Sequence, residues 1–179
     1  MQFAKDSFFL AVRERLAGLN PARVITVNGA TVPAVVVVEN LPPSYAEAQP
    51  NALYIEWGAA GQVSGPAGSG ALMSLEVLIS YYSLGSVASM VDRGRVLGQL
   101  DGELLSICQP PNTEKRDYTQ SPSADLGTRV FWSQPSFSDG TSRGNLRAEN
   151  SARTGSHPDA RVERTAQLKI YFFPEVTLS

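Results

Sequence analysis

Hydrophobic side chains recur in steps of three and four through the N-terminal segment. Ala4, Phe8, Val12, Leu16 and Leu19 share one stripe, which predicts an amphipathic helix. Arg13, Glu14 and Arg15 lie mostly off that stripe, and Gly18 and Pro21 supply a stop signal. The pattern then changes in "RVITVNGATVPAVVVV". Asn28-Gly29 between β-branched runs predicts a hairpin, because a type I′ turn needs positive φ at both central residues. Pro33 cannot donate to a ladder, so it is placed at a strand start or bulge, with a clean strand over Ala34 to Glu39. The valine run has no polar alternation, so both of its faces are expected to be buried. Cover for the second face could come from the chain itself or from a neighbouring subunit.

Further on, "ALYIEWG" (Ala52 to Gly58) reads as a short strand. Gly58 to Gly70 holds five glycines and no large side chain, which predicts a loop or a long hairpin tip. In "ALMSLEVLISYYS", Leu75, Val77, Ile79 and Tyr81 alternate with Ser74, Glu76, Leu78 and Ser80, as a half-buried strand requires. A second helix is expected from Ser86 to Gln109. Val87, Met90, Val91, Leu97, Leu104 and Cys108 mark its buried face, together with Gly94 and Gly98. "QPPN" ends it.

From Thr113 to Ala160 the chain reads as polar and irregular, with "TRVFWS" (Thr128 to Ser133) as its one strand-like island. Gln134 to Ala160 forms a 27-residue run rich in Ser, Gly, Asn and Arg, a length usually reserved for function or disorder. The last strand is the clearest. Val162, Ala166, Leu168, Ile170 and Phe172 alternate with Glu163, Thr165, Gln167, Lys169 and Tyr171. These elements predict an α+β fold: a mixed, mainly antiparallel sheet of about 4–6 strands on two main helices, with long loop insertions. One domain over residues 1–179 is expected, with a core over 3–109 and 162–176 and a polar insertion over 113–160.

Composition narrows the function classes. Of 179 residues, 42% are hydrophobic and 18% charged, and the net charge is -2. That charge fraction is below the globular average, as expected where other subunits cover part of a surface. No overall field draws the protein onto nucleic acid. Cys108 is the only cysteine, so no intrachain disulfide forms, which suits synthesis in a reducing cytoplasm. The N-terminus lacks a signal peptide's apolar run, and no window approaches the ~18 apolar residues of a membrane span.

Candidate chemistry is sparse. "GTSRG" (Gly140 to Gly144) matches G-x-S-x-G with Ser142 as nucleophile, followed by Glu149 and His157. That turn needs an apolar strand before the serine and a helix after it, whereas the flanks are "SFSD" and "NLRAEN". A Ser-dependent hydrolase is therefore the weaker reading, and no catalytic residue is assigned. His157 is the only histidine, so no zinc-type ligand set exists and no metal or cofactor is expected. Gly58 to Gly70 lacks the G-K-[ST] of a phosphate loop. Asp101 and Glu103 read as solvated charges. Two loop sets remain as candidate partner contacts: Gly58, Gly61, Gly65 and Gly70, and the arginines Arg143, Arg147 and Arg153, which suit acidic surfaces or DNA phosphates.

The elements follow one another in a defined order. An N-terminal amphipathic helix leads to a "PAV-V" strand, and a strand ending "LEVLISYY" precedes the helix "VDRGRVLGQLDGELLSI". The alternating strand "AQLKIYFFPEV" comes last. Over roughly Phe3 to Leu105 and Val162 to Val176 this resembles the tail terminator proteins of long-tailed phages, the family of the lambda-type minor tail protein. The resemblance implies a non-enzymatic homo-hexameric ring in the neck region of the virion tail, made in the host cytoplasm. Such a ring caps the tail tube, stops its polymerisation and offers a docking surface to the head. Its implied partners are further copies of the chain, the tail tube protein, a neck or head-completion protein and, in a contractile tail, the sheath. DNA would pass through without sequence-specific binding, and no membrane is involved. Another head-to-tail connector ring is the alternative. The glycine loop and the region Thr113 to Ala160 make this chain longer than compact members of that family.

Overall fold

Two α-helices and nine strands make up the described part of the chain. In the computed structural model, residues 1–41, 48–63, 72–83, 92–139 and 162–175 are described. Helix α1 (Gln2–Leu19) leads into strands β1 (Val24–Val27), β2 (Ala30–Pro33), β3 (Val35–Val37), β4 (Leu53–Gln62) and β5 (Met73–Ser83). Helix α2 (Asp92–Ile107) follows, then β6 (Asn112–Asp117), β7 (Ala124–Trp132), β8 (Ser136–Asp139) and β9 (Val162–Phe172). Strands β1 and β2 form a separate ribbon. The other seven make one sheet in the order β3-β4-β5-β9-β7-β6, with β8 also paired to β9. Only the β3–β4 pairing is parallel. This is the α+β fold with two helices on a mainly antiparallel sheet that the patterns predict, with more strands than they indicated.

The β1–β2 turn has the expected chemistry: Asn28 and Gly29 take φ of 51° and 78°, and Val27 pairs with Ala30. Pro33 closes β2 at the ribbon's outer end, opposite Val24. The valine strand is shorter than expected, because Val38–Asn40 turns into a 3₁₀ helix. Val35 and Val37 pair with Leu53 and Ile55, while Val36 pairs with Tyr54 on the other face. All three valines are buried within this one chain. The burial of both faces thus needs no neighbouring subunit.

Helix α1 buries Ala4, Phe8, Val12 and Leu16, but Leu19 is exposed and Ser7 takes a buried place instead. The Ser7 hydroxyl donates to the Phe3 carbonyl and accepts from the Arg116 amide, which fixes α1 against β6. Phe8 packs edge-on to Trp57 and Trp132, with centroids 6.3 and 5.2 Å away. On α2 the buried side chains are Leu97, Leu100, Leu104 and Ile107, followed by Cys108. Gly94 and Gly98, expected on that face, are exposed, and a Cβ at either would meet nothing within 4 Å. The helix turns them to solvent, so close packing is not their role. Val87, Met90 and Val91 lie outside the described residues.

The largest correction concerns residues 112–139. From Thr113 on they read as polar and irregular apart from the strand-like island Thr128 to Ser133, which spans the end of β7; β6, the first part of β7 and β8 are additional. Val130 and Trp132 belong to the same hydrophobic core as α1 and β5. The β6 sequence "NTEKRD" shows no apolar alternation because its inward positions are Lys115 and Asp117. Lys115 is buried and donates from Nζ to the Phe173 carbonyl at 2.8 Å. Asp117 accepts from the Thr119 amide and hydroxyl and from Gln120, closing the turn after β6. Among the described residues, no helix is long and apolar enough to cross a membrane.

Candidate functional site

Alternation along β5 and β9 gives the sheet one face toward the helices and one polar face. Leu75, Val77 and Ile79 pair with Ile170, Leu168 and Ala166 on the helix side. On the polar side Glu76 pairs with Lys169, 3.4 Å apart, and Phe131, which is exposed, lies opposite Tyr171. An antiparallel sheet with one solvated face is ordinary, and singly exposed aromatics on it are too.

Asp101 and Glu103 of α2 are paired side chains, not solvated charges. Asp101 accepts from the Tyr81 hydroxyl and from Arg164 Nη1, which ties α2 to β5 and β9. Burial, then the hydrogen bond and charge of Asp101, push the Tyr81 hydroxyl's pKa well above its ordinary value. Glu103 accepts from Arg23 Nη2 at 2.9 Å and from Asn20 Nδ2 at 2.8 Å. Both residues therefore join elements, a correction of the solvated-charge reading. An acid/base pair of free carboxylates is not formed by them. Among the described residues, no group of three or more His, Cys, Asp and Glu side chains could hold a metal ion.

Cys108 is buried just beyond α2, and burial pushes its thiol up to about 12, against a partial opposing pull from the Arg15 guanidinium. A thiol of that kind carries almost no thiolate at neutral pH. Native protein treated with iodoacetamide at mildly alkaline pH should gain no adduct, and denatured protein should gain one, as read by intact mass. Rapid labelling of the native protein would contradict the burial.

Charged side chains converge in one place, a groove of about 520 Å³ between α1 and the β6–β7 arm. Arg15 forms its wall. Nη1 donates to the carbonyls of Ile107 and Pro110 at 3.0 and 2.9 Å, and Nη2 donates to the Asn112 carbonyl at 2.9 Å. The guanidinium also lies over Trp132, 5.2 Å from its ring centroid. One side chain thus holds the end of α2, the following loop and the start of β6 to α1. Its partial burial lowers its pKa from the ordinary arginine value. Removal of the group leaves three carbonyls to find other donors. Arg15→Ala is expected to cost about 2–3 kcal/mol, and Arg15→Lys to recover little, since an ammonium lacks the fork geometry. Thermal melting of the two variants checks this; equal and unchanged midpoints would contradict it.

Opposite Arg15, Arg129 donates from Nε and Nη2 to Asn112 Oδ1 at 3.2 and 2.5 Å. Arg116 is less well served. Its Nε is buried and has no hydrogen-bond partner among the described residues, and the Glu114 carboxylate is 3.7 Å away. Glu14 and Tyr118 complete the lining. Sequence reading did not single out these residues, because they come from α1, β6, the turn after it and β7.

Of the expected contact residues Gly58 and Gly61 are described, and they do not line this groove. Gly58 and Gly61 are not in a loop: β4 runs on to Gln62, with a bulge between Trp57 and Ala60. The bulge lets small residues continue the ladder where their composition suggested a loop. A Cβ at Gly58 would come within 3.0 Å of the Glu76 Cβ, so this glycine serves close approach of β4 and β5, whereas Gly61 has open space. Gly65, Gly70, Arg143, Arg147 and Arg153 lie outside the described residues, as do Ser142, Glu149 and His157. No protein-family model matches this chain, and no curated protein matches it significantly.

Proposed function

We propose that this chain is a structural subunit of a phage tail, a terminator that assembles as a hexameric ring on the end of the tail tube. The observation that supports this reading best is the order and joining of elements. The helix ahead of the "PAV" strand, the aromatic-ended strand β5, the helix α2 and the closing strand β9 all meet in one core. Strand β9 lies between β5 and the β7–β8 edge, so the C-terminal segment is built into the middle of the sheet. The order of these elements is the one on which the terminator resemblance rests, and β6 to β8 extend the sheet beyond β9. In this reading the chain does no chemistry. Its partners are further copies of itself, the tube protein below and a neck protein above, and DNA passes through the ring.

Immunogold labelling of intact virions tests the location. Label is expected at the head-proximal end of the tail. Label along the tube, at the tail tip or on the capsid would contradict the proposal.

A further inference from the structure

The groove between α1 and β6 has the makings of a binding site that the ring reading does not require. Backbone groups of β6 alternate in direction. The Pro111 carbonyl accepts from Trp132 N on the β7 side. The Asn112 carbonyl and the Arg116 amide point the other way, to Arg15 and to the Ser7 hydroxyl. Glu114 lies between those two and shares their direction, so its N–H and C=O are aimed away from β7, along the free edge of the strand. The helix and side chains thus cap both ends of this edge and leave its centre for an incoming group. Beside that centre sits Arg116 Nε, which has no hydrogen-bond acceptor among the described residues, on a side chain that is 41% exposed and 3.7 Å from the Glu114 carboxylate. A charged donor so placed is open to an acceptor brought by a ligand.

The charges of the lining set the ligand class. Arg15, Arg116 and Arg129 face Glu14 and Glu114, so three guanidiniums against two carboxylates leave a surplus of one positive charge. That balance suits a single negative charge, whereas a phosphate dianion would stand against both glutamates. A planar carboxylate also matches the guanidinium fork. The N–H and C=O of Glu114, aimed away from β7, match a short stretch of extended backbone. The volume is within the range of small-ligand sites. We propose that this groove binds a carboxylate carried on an extended peptide, with Arg116 holding the anion, Arg129 adding only the donors that its bonds to Asn112 leave over, and the Glu114 backbone holding the peptide. Arg15 acts as a positioning residue, since its donors are already committed to three carbonyls.

The test uses the full chain, labelled with ¹⁵N, and three probes: N-acetyl-aspartate N-methylamide, its asparagine counterpart, and inorganic phosphate. The aspartate probe should shift the Glu114 and Arg116 amide signals saturably, and the asparagine probe should shift them about tenfold more weakly, as net hydrogen-bond contributions to charged and to neutral groups differ by roughly that factor. Arg116→Ala with Arg129→Ala should weaken the aspartate response by a similar factor. Equal response to aspartate and asparagine in the unaltered protein would overturn the proposal without any variant. Tighter saturation by phosphate would overturn it as well, by assigning the groove to a different anion.

Discussion

Val37→Asp is expected to prevent folding. Val37 is 4% exposed, pairs with Ile55 and faces the same core as α1. It belongs to the cluster of buried apolar residues that forms the core. An aspartate there would be charged and unpaired, or protonated at the cost of a large pKa shift; either costs several kcal/mol. Domains of this size hold only about 5–15 kcal/mol in total. Strand β3 is also short and at the sheet edge, with only three paired positions to resist the strain. The variant should therefore accumulate as insoluble protein or lack a cooperative melting transition. Soluble protein that melts like the parent would show that β3 does not occupy this place.

Phe8→Ala should give the next largest loss. Phe8 is fully buried and packs edge-on against both tryptophans of the chain, Trp57 on β4 and Trp132 on β7. It bridges two strands on opposite sides of the sheet's centre to α1. Truncation of a buried phenylalanine costs about 3–5 kcal/mol through lost transfer energy and the remaining cavity. For a chain of this length that lowers the melting midpoint by roughly 6–20 °C. The two tryptophans make the change visible: their fluorescence should redden in the native state as the ring between them is lost. A midpoint within a degree or two of the parent would contradict the packing.

The parts of the fold legible in the sequence are those in which burial alone decides the pattern. The stripe of Ala4, Phe8, Val12 and Leu16 gives α1, and the alternations around Val77 and Leu168 give β5 and β9. Asn28-Gly29 gives the hairpin through its backbone conformation, independent of burial. Where polar groups do the joining, periodicity is silent. Strand β6 carries Lys115 and Asp117 inward because a carbonyl of residue 173 and the turn at Thr119 satisfy them, and the partner of Lys115 lies 58 residues away, beyond any local pattern. Arg15 lies off the apolar stripe and reads as solvated, yet its acceptors lie 92 to 97 residues away along the chain. The groove is hidden for the same reason, since Arg15, Arg116 and Arg129 converge only after three elements have packed. Gly58 misled in the opposite direction: in a glycine-rich run it suggests a loop, but it is small because β5 comes close.

The same physics limits what the valine run says about assembly. Its double burial pointed equally to a covering subunit and to its own chain, and its own chain covers it. The terminator proposal therefore rests on element order and not on an exposed apolar strand. The most direct test is electron microscopy of particles made by a phage that carries this gene and by the same phage with the gene deleted. If the chain ends tube growth, the deletion should yield headless tails of overlong, variable length. Tails of normal length beside unattached heads would contradict termination and place the protein among the head-to-tail connectors.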